Sequence, residues 1–410
     1  MISELDVRNF KSFGSSANPL FLGNLNFLVG ANASGKTNLV SALKFLQSAL
    51  LQNIEVAVAE FDGLSEIRNK NQRERKTPKP ITIRVRMGEL GKIALPSLTG
   101  KGSRTAIAES CDYTIELSTR SVVGDEPHLP VIKSERLMAI FVENDMRLEY
   151  KMERDQDQMR FTDPIFGSPK DPVKIQGKDK TRLAAAASFF SLPLLYFRSR
   201  LEEWSFFNID PDIARKPSKV SADITIGAHG ESLASILYKL EHTRDSNELQ
   251  KIADCLEGVV PGFRGIKTRI MQMGGGIGFQ VQEGKLSSPI NPRSVSDGTI
   301  RLIALAVILN WAAKRSSLVT IEEPENGLHP HLSEHLVSLL RETSEHTQLI
   351  VTTHNPRFLD YLEPEELFLC DKVDGMTTIR QASRLEDVKM FQKNFTLGER
   401  WIQGQLGGIP

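Results

Sequence analysis

Apolar and polar residues alternate in "ISELDVRNF", residues 2–10, and "NLNFLVG", residues 24–30, also reads as a strand. Alternation sends every second side chain to one face, the pattern of a strand. Directly afterwards, "KTNLVSALKFLQSALLQ" places apolar residues three and four apart, the helical period. The chain therefore opens strand, strand, turn, helix. "ITIRVRM", "CDYTIELSTR", "RLMAIFVEN" and "DMRLEYKMERD" return to alternation and predict a largely antiparallel sheet. Between them, "GELGKIALPSLTGKGSRT" and "RSVVGDEPHLP" read as loops, and "RNKNQRERKTPKP" as a basic connector rich in breakers.

From about Lys180 the pattern changes. "KTRLAAAASFFSLPLLYFRSRLEEWSFFNI" predicts helix, interrupted near Pro193. "NIDPDIARKPSKVSADITIGAHG" is turn-rich. "ESLASILYKLEHT" and "NELQKIADCLEGVV" are amphipathic helices, the second stopping at Gly258. "GIGFQVQEGK" reads as a short strand pair. The last part predicts a helix over Thr299–Lys314, a strand "SLVTIEE", a helix "HLSEHLVSLLRETS" and a strand "QLIVTTH". Such α/β alternation implies a parallel sheet.

Composition narrows the class. Of 410 residues, 40% are hydrophobic and 25% charged, an ordinary globular balance. Lys+Arg and Asp+Glu both total 51, so there is no bulk charge footprint for nucleic acid. Cys111, Cys255 and Cys370 are far apart and lack zinc spacing, which fits reduced thiols in a cytoplasmic protein. The opening residues lack the apolar core of a signal peptide. The longest apolar run, Leu302–Ala313, is broken by Asn310 and is too short to span a bilayer. The expectation is a soluble protein with no membrane partner.

Three stretches carry chemistry. "GANASGKT", Gly30–Thr37, fits G-x-x-x-x-G-K-[ST] between a strand and a helix. Backbone N–H groups of Gly30, Asn32, Ser34 and Gly35 would wrap phosphates. Lys36 would reach the β- and γ-phosphates, and the Thr37 hydroxyl would ligate Mg²⁺. "SLVTIEEPENGLHP" ends an apolar strand in two carboxylates. Glu322 takes the metal side and Glu323 the role of base toward the attacking water. "LIVTTHNP" ends a strand at His354, where an imidazole can touch the γ-phosphate or the water. By contrast, His329, His331 and His335 in "GLHPHLSEHL" offer one i, i+4 pair and no evident third zinc ligand.

"SVSDGTIR", residues 294–301, starts a helix at Ser296 and Asp297. Helix starts hold anions, yet Asp297 is itself an anion. Either Asp297 caps the helix or the start binds a phosphate, and both hold if the carboxylate turns aside to cap free N–H groups.

In this order — phosphate loop, "SDGT" helix, acidic strand with "GLHP", strand–His — the motifs resemble the ABC-type ATPase heads of the RecF/SMC/OLD group. They are most similar to the stand-alone AAA-15/AAA-21-like ATPases of bacterial phage-defence loci. "ISELDVRNFKSF" resembles that group's first strand, whose following turn lies near the adenine. "WSFFNIDPDIARKP" and "GESLASILYKL" resemble its helical insert. The resemblance makes Gly30–Thr37 the Walker A motif, Glu322–Glu323 the end of Walker B, "ENGLHP" the D-loop, and His354 the switch histidine. Ser296–Thr299 becomes the signature motif, in which Ser296 and Gly298 meet a γ-phosphate. The signature departs from the transporter form at Asp297 and Thr299. A Q-loop glutamine is not evident.

The resemblance implies an α/β ABC-type head with a P-loop parallel sheet, an antiparallel β lobe and a helical insert. The expected division is an N-terminal ATPase lobe over 1–165, the insert over 166–270, and a C-terminal lobe over 271–410. ATP with Mg²⁺ would lie between two protomers of a homodimer or higher even oligomer. The implied role is a sensor or regulator in anti-phage defence, acting on a separately encoded effector such as a nuclease. The alternative is a DNA-repair or DNA-clamp ATPase of RecF/SMC type, with nucleic acid as partner. Arg68, Lys70, Arg73, Arg75 and Lys76 would then line a basic face, against the plainer reading of a solvated connector. The tail "WIQGQLGGIP" either packs back on the protein or docks a partner.

Overall fold

The computed structural model describes residues 1–72, 79–96, 103–119, 130–164, 167–175, 183, 192–219, 225–242, 247–271, 276–284, 286–385 and 396–407. Contacts divide the chain into two units. One comprises Met1–Gly23, Ala31–Glu203 and Cys370–Arg380. The other comprises Asn24–Gly30, Trp204–Leu369 and Gln381–Pro410.

The first unit contains an 8-stranded antiparallel sheet. Its strands are β1 (Ile2–Arg8), β2 (Leu20–Phe21), β4 (Ile81–Pro96), β5 (Ser103–Thr119), β6 (Pro130–Glu143), β7 (Met146–Asp155), β8 (Gln158–Thr162) and β9 (Val173–Lys174). Their order is β2-β1-β4-β5-β6-β7-β8-β9. The expected loop "GELGKIALP" is strand instead. The β4–β5 ladder runs from Ile81 opposite Leu117 to Pro96 opposite Ser103, and a register shift between Gly88 and Gly91 absorbs the glycines. A bulge in a long ladder therefore looks like a turn in the sequence. Alternation does the burying: Ile81, Ile83 and Val85 are inside, as are Tyr113, Ile115 and Leu117. Tyr113 donates its hydroxyl to Glu135 at 2.8 Å, and Glu135 faces Arg154 at 3.7 Å in a fully buried pair.

Helices α1 (Lys36–Leu51), α2 (Ile54–Ala59), α3 (Leu64–Ile67) and α4 (Leu192–Glu202) belong to this unit. Leu39, Leu43, Leu46 and Leu50 give α1 its buried stripe. The Asn53 side chain caps α2 by accepting from Val56 N at 2.8 Å. Pro193 lies in the first turn of α4, where its missing N–H is tolerated. Phe10, Phe45 and Phe61 form an aromatic trio with centroids 5.8–6.4 Å apart. Arg68 is buried, so it lines no basic surface, and Lys70 pairs with Glu66 at 3.4 Å. Arg73, Arg75 and Lys76 lie outside the described residues.

The second unit is built on parallel strands in the order β10 (Trp204–Phe207), β14 (Leu318–Glu322), β15 (Gln348–Thr353), β3 (Leu25–Val29) and β16 (Leu367–Val373). Every residue of β3, β14 and β15 is buried. Such strands read as continuous apolar runs rather than alternating ones. The helix expected through "WSFFNI" gives way to β10, because Trp204 and Phe207 bury beside β14. After Leu369 the chain returns to the first unit, where Asp374 and Gly375 at positive φ turn it into β17 (Met376–Gln381). A small antiparallel sheet has the order β11 (Ser218–Lys219), β13 (Gly276–Glu283), β12 (Phe263–Ile270). "GIGFQVQEGK" is thus one strand, not a pair, and its main partner is "FRGIKTRI".

Helices α5 (Pro211–Ala214), α6 (Leu233–His242), α7 (Asn247–Glu257), α8 (Asp297–Val307), α9 (Ser333–Ser344) and α10 (Pro356–Leu359) complete this unit with a last helix, Leu397–Ile402. The helix expected to Lys314 is regular only to Val307. A π turn over Ile308–Ala312 and a 3-10 turn over Ala313–Arg315 continue it. Trp401 is fully buried in the core with Leu406, so the tail packs back through 407; residues 408–410 lie outside the description. Among the described residues no helix is long and apolar enough to cross a membrane.

Candidate functional site

In the second unit, parallel pairing brings three strand ends to one edge of the sheet. Thr353 lies opposite Val29, and Glu322 opposite Thr352. Gly30, Glu323 and His354 are the residues that follow, so each leaves the sheet at this edge. Carboxyl ends of parallel strands are where open α/β sheets bind ligands.

The next residues, Ala31–Thr37, belong to the first unit. Ala33 has φ 63° and Gly35 φ 109°, both left-handed. Ser34 N bonds Ala31 O at 3.2 Å, and Lys36 Nζ donates to Ala31 O at 3.0 Å, curling the loop on itself. The loop rests on residues distant in sequence. Thr377 Oγ1 donates to Ser34 O at 2.7 Å and lies 2.6 Å from Ser12 Oγ, which accepts from Asn38 Nδ2 at 2.7 Å. A Cβ on Gly35 would stand 1.9 Å from Thr377 Oγ1 and 2.9 Å from Ser12 Oγ. Asn32 and Thr37 are exposed, while Ser34, Gly35 and Lys36 are buried. The turn after β1 contributes Phe13 and Gly14 to a cavity of about 450 Å³, shared with Leu39, Met376 and Thr377.

The loop fits the phosphates of a nucleotide. Helix α1 starts at Gly35 with no side-chain cap and no acidic residue in its first turn. Its N–H groups and dipole are thus unopposed. The buried Ser34 hydroxyl has no hydrogen-bond partner, and the buried Lys36 ammonium bonds a carbonyl of its own loop, at the start of that helix.

The acidic turn of the second unit is strained. Glu323 has φ 46°, an uncommon conformation for a residue with a Cβ, and strain of this kind concentrates at functional sites. Its backbone N–H is anchored to Thr352 O at 2.9 Å. One carboxylate oxygen lies 3.2 Å from His354 Nδ1, and the other accepts from Asn326 Nδ2 at 2.7 Å. Both side chains remain partly open to solvent. Glu322, beside it, is buried at the end of β14.

Glu325 opens the "ENGLHP" stretch, which sequence reading placed without assigning this carboxylate a role. It is buried, takes a hydrogen bond from Thr353 Oγ1 on one oxygen, and leaves the other without a partner. Burial raises its carboxyl pKa above the ordinary range, against the Thr353 bond that lowers it. A raised folded value means that the fold prefers the protonated acid. Its stabilising share is whole at low pH and is lost as pH climbs from the ordinary carboxyl range to the raised value. Glu325→Gln should therefore melt higher than the parent at pH 7 and alike at pH 3.5, as calorimetry across pH would show. An equal gap at both pH values would contradict this.

At the signature turn, Ser296 is the N-cap of α8. Its Oγ accepts from Thr299 N at 3.1 Å and lies 2.8 Å from Thr299 Oγ1. A Cβ on Gly298 would come within 2.6 Å of Gly327 O, so this glycine lets "GLHP" approach α8. Asp297 does not cap its helix, contrary to expectation, because Ser296 does. Its carboxylate is ion-paired with Arg215, a residue no periodicity singled out. The histidine pair that meets is His329–His331, with Nδ1 atoms 2.5 Å apart. Among the described residues no group of three or more His, Cys, Asp and Glu is placed to hold a metal.

This arrangement of a parallel sheet, an antiparallel sheet and flanking helices is the fold of an ABC-type ATPase head. The chain belongs to the family described as "AAA domain, putative AbiEii toxin, Type IV TA system", whose profile matches residues 25–94 and 143–360. No curated protein matches it. Among solved structures it is similar to an Smc head bound to the C-terminal winged-helix domain of ScpA, with TM-score 0.51 and 14% identity. That match covers 92% of this chain and 97% of the other. The SMC head domain from Thermotoga maritima matches with TM-score 0.40 and 15% identity, covering 93% of this chain and 98% of that one. A Pyrococcus furiosus-derived Smc head bound to the C-terminal domain of ScpA gives 0.42 and 10%, covering 92% and 95%.

Proposed function

We propose that the protein binds ATP with Mg²⁺ and hydrolyses it in sites shared by two copies of the chain. The observation that carries this reading is Glu323, held at positive φ between His354 and Asn326 at the sheet edge from which the phosphate loop departs. Lys36 and the N–H groups of Gly30, Asn32, Ser34 and Gly35 bind the phosphates. Thr37 and Glu322 are the residues that would hold Mg²⁺, which neutralises phosphate charge when bound. Glu323 accepts the proton of the attacking water, and His354 orients that water and the γ-phosphate. Ser296 and Gly298 of the second copy close the site from the other side.

The biological role we propose is sensor or regulator in anti-phage defence, with a separately encoded effector and a cytoplasmic setting. This reading rests on the resemblance of the motifs to the stand-alone ATPases of defence loci; the family description names a putative AbiEii toxin of a Type IV TA system. The purified protein should release phosphate from ATP in the presence of Mg²⁺, and Lys36→Ala should remove both release and nucleotide binding. Release that survives Lys36→Ala would refute the assignment. Hydrolysis strongly stimulated by DNA would favour the clamp reading instead.

A further inference from the structure

The start of α8 carries a contradiction that the proposed function leaves standing. A helix start meant to face a phosphate has a carboxylate as its first residue, Asp297, and that side chain is 71% exposed. Like charges at this position oppose phosphate binding directly. Arg215 is the counterweight. Its side chain is only 15% exposed, and it is fixed by more than Asp297. Its Nε donates to Pro211 O at 3.1 Å and lies 3.7 Å from Asp212.

The short helix that ends at Arg215 is itself built in. The Asp210 side chain caps it by accepting from Asp212 N at 2.8 Å, and Asp210 N bonds His229 O at 3.1 Å. Ala214 is fully buried, and Gly230 packs so closely on it that a Cβ there would come within 2.8 Å of Ala214 Cβ. The cation is therefore anchored first, and the exposed carboxylate comes to it. Arg215 makes the direct ion pair to Asp297, and Arg301 adds a longer-range attraction. Asp210 and Asp212 add negative charge, while Arg301, one turn along α8, is half-buried with an unbonded Nε.

We propose that Arg215 is a positioning residue for the shared ATP site: it draws the Asp297 carboxylate aside and neutralises it, so that the α8 start of one copy can receive the γ-phosphate held by another copy. This rests on the shared-site reading above. Arg215 itself does not touch the phosphate; it acts through Asp297. A charge-paired Asp at a signature turn would also discourage free anions from settling on the lone protomer, since the field there is cancelled rather than positive.

The test uses the full chain carrying Glu323→Gln as parent, so that ATP-bound assemblies persist. ATP-driven association is followed by analytical ultracentrifugation, and binding of a fluorescent ATP analogue to the dilute protomer is measured beside it. Arg215→Gln should weaken association by about tenfold or more, as an uncompensated like charge at an interface does, with protomer binding unchanged. Adding Asp297→Asn to Arg215→Gln should restore association to near the parent, and Asp297→Asn alone should associate more tightly than the parent. A purely structural pair would lower the melting temperature without this rescue pattern. Association of Arg215→Gln at the parent's strength overturns the inference while the shared site stands. A double variant as weak as Arg215→Gln also overturns it, because Arg215 would then contact the phosphate itself. A parent that never associates with ATP overturns both. If Arg215→Gln does not fold, Asp297→Asn decides: a tenfold loss there is incompatible with the proposal.

Discussion

Glu323→Gln is expected to slow ATP turnover by about 100- to 10,000-fold, the range contributed by a positioned general base. ATP binding should survive, and the ATP-bound assembly should accumulate. The physical reason lies in what the substitution keeps. A glutamine at 323 retains an oxygen for Asn326 Nδ2 and a polar atom toward His354, so the strained turn has no new reason to relax. It loses only the ability to take a proton. Phosphate-release kinetics measure the first effect and sedimentation with ATP the second. Turnover within about threefold of the parent would remove Glu323 from the chemistry, since base catalysis is worth far more than that.

Gly35→Ala is expected to be nearly as severe by a different route. At φ 109° a residue with a Cβ is strained, and the added methyl would meet Thr377 Oγ1 and Ser12 Oγ. Backbone strain of this kind costs about 1–3 kcal/mol, before the hydroxyls are displaced. Those hydroxyls brace the loop through Ser34 O, so moving them shifts the phosphate-binding N–H groups. The variant should melt below the parent and lose nucleotide binding, read by calorimetry and by titration with a fluorescent ATP analogue. Binding at the parent's affinity would show that the loop conformation seen here is not the one that holds phosphate.

Much of the candidate site was legible in the sequence because each of its parts is a contiguous stretch. Gly30–Thr37, Glu322–Glu323 and His354 each sit where a strand ends, and strand ends can be read from where an apolar run stops. The supporting contacts were not legible, because they join residues remote in the chain. Ser12 and Thr377 meet across 365 positions, and Arg215 and Asp297 across 82. Nothing in the spacing of apolar residues reports such pairs. The errors in the fold have equally local causes. Gly88 and Gly91 look like a turn, and the ladder on either side makes them a bulge. "WSFF" continues a helical-looking run, and only the neighbouring strand β14 makes it β10. Asp297 looked like a cap because its neighbour Ser296 is one.

The central claim is that each ATP site draws on two copies of the chain, and mixing two inactive variants tests it most directly. Lys36→Ala lacks a working phosphate loop but keeps an intact Ser296. Ser296→Arg blocks the signature turn but keeps Lys36. Each alone should be inactive. In a mixed dimer, the loop of one copy meets the signature of the other and one complete site is rebuilt. With random pairing in a two-fold dimer, an equal mixture should recover about one quarter of the parent's phosphate release. A mixture that stays as inactive as its components, or a Ser296→Arg protein that turns over ATP unaided, would contradict the account.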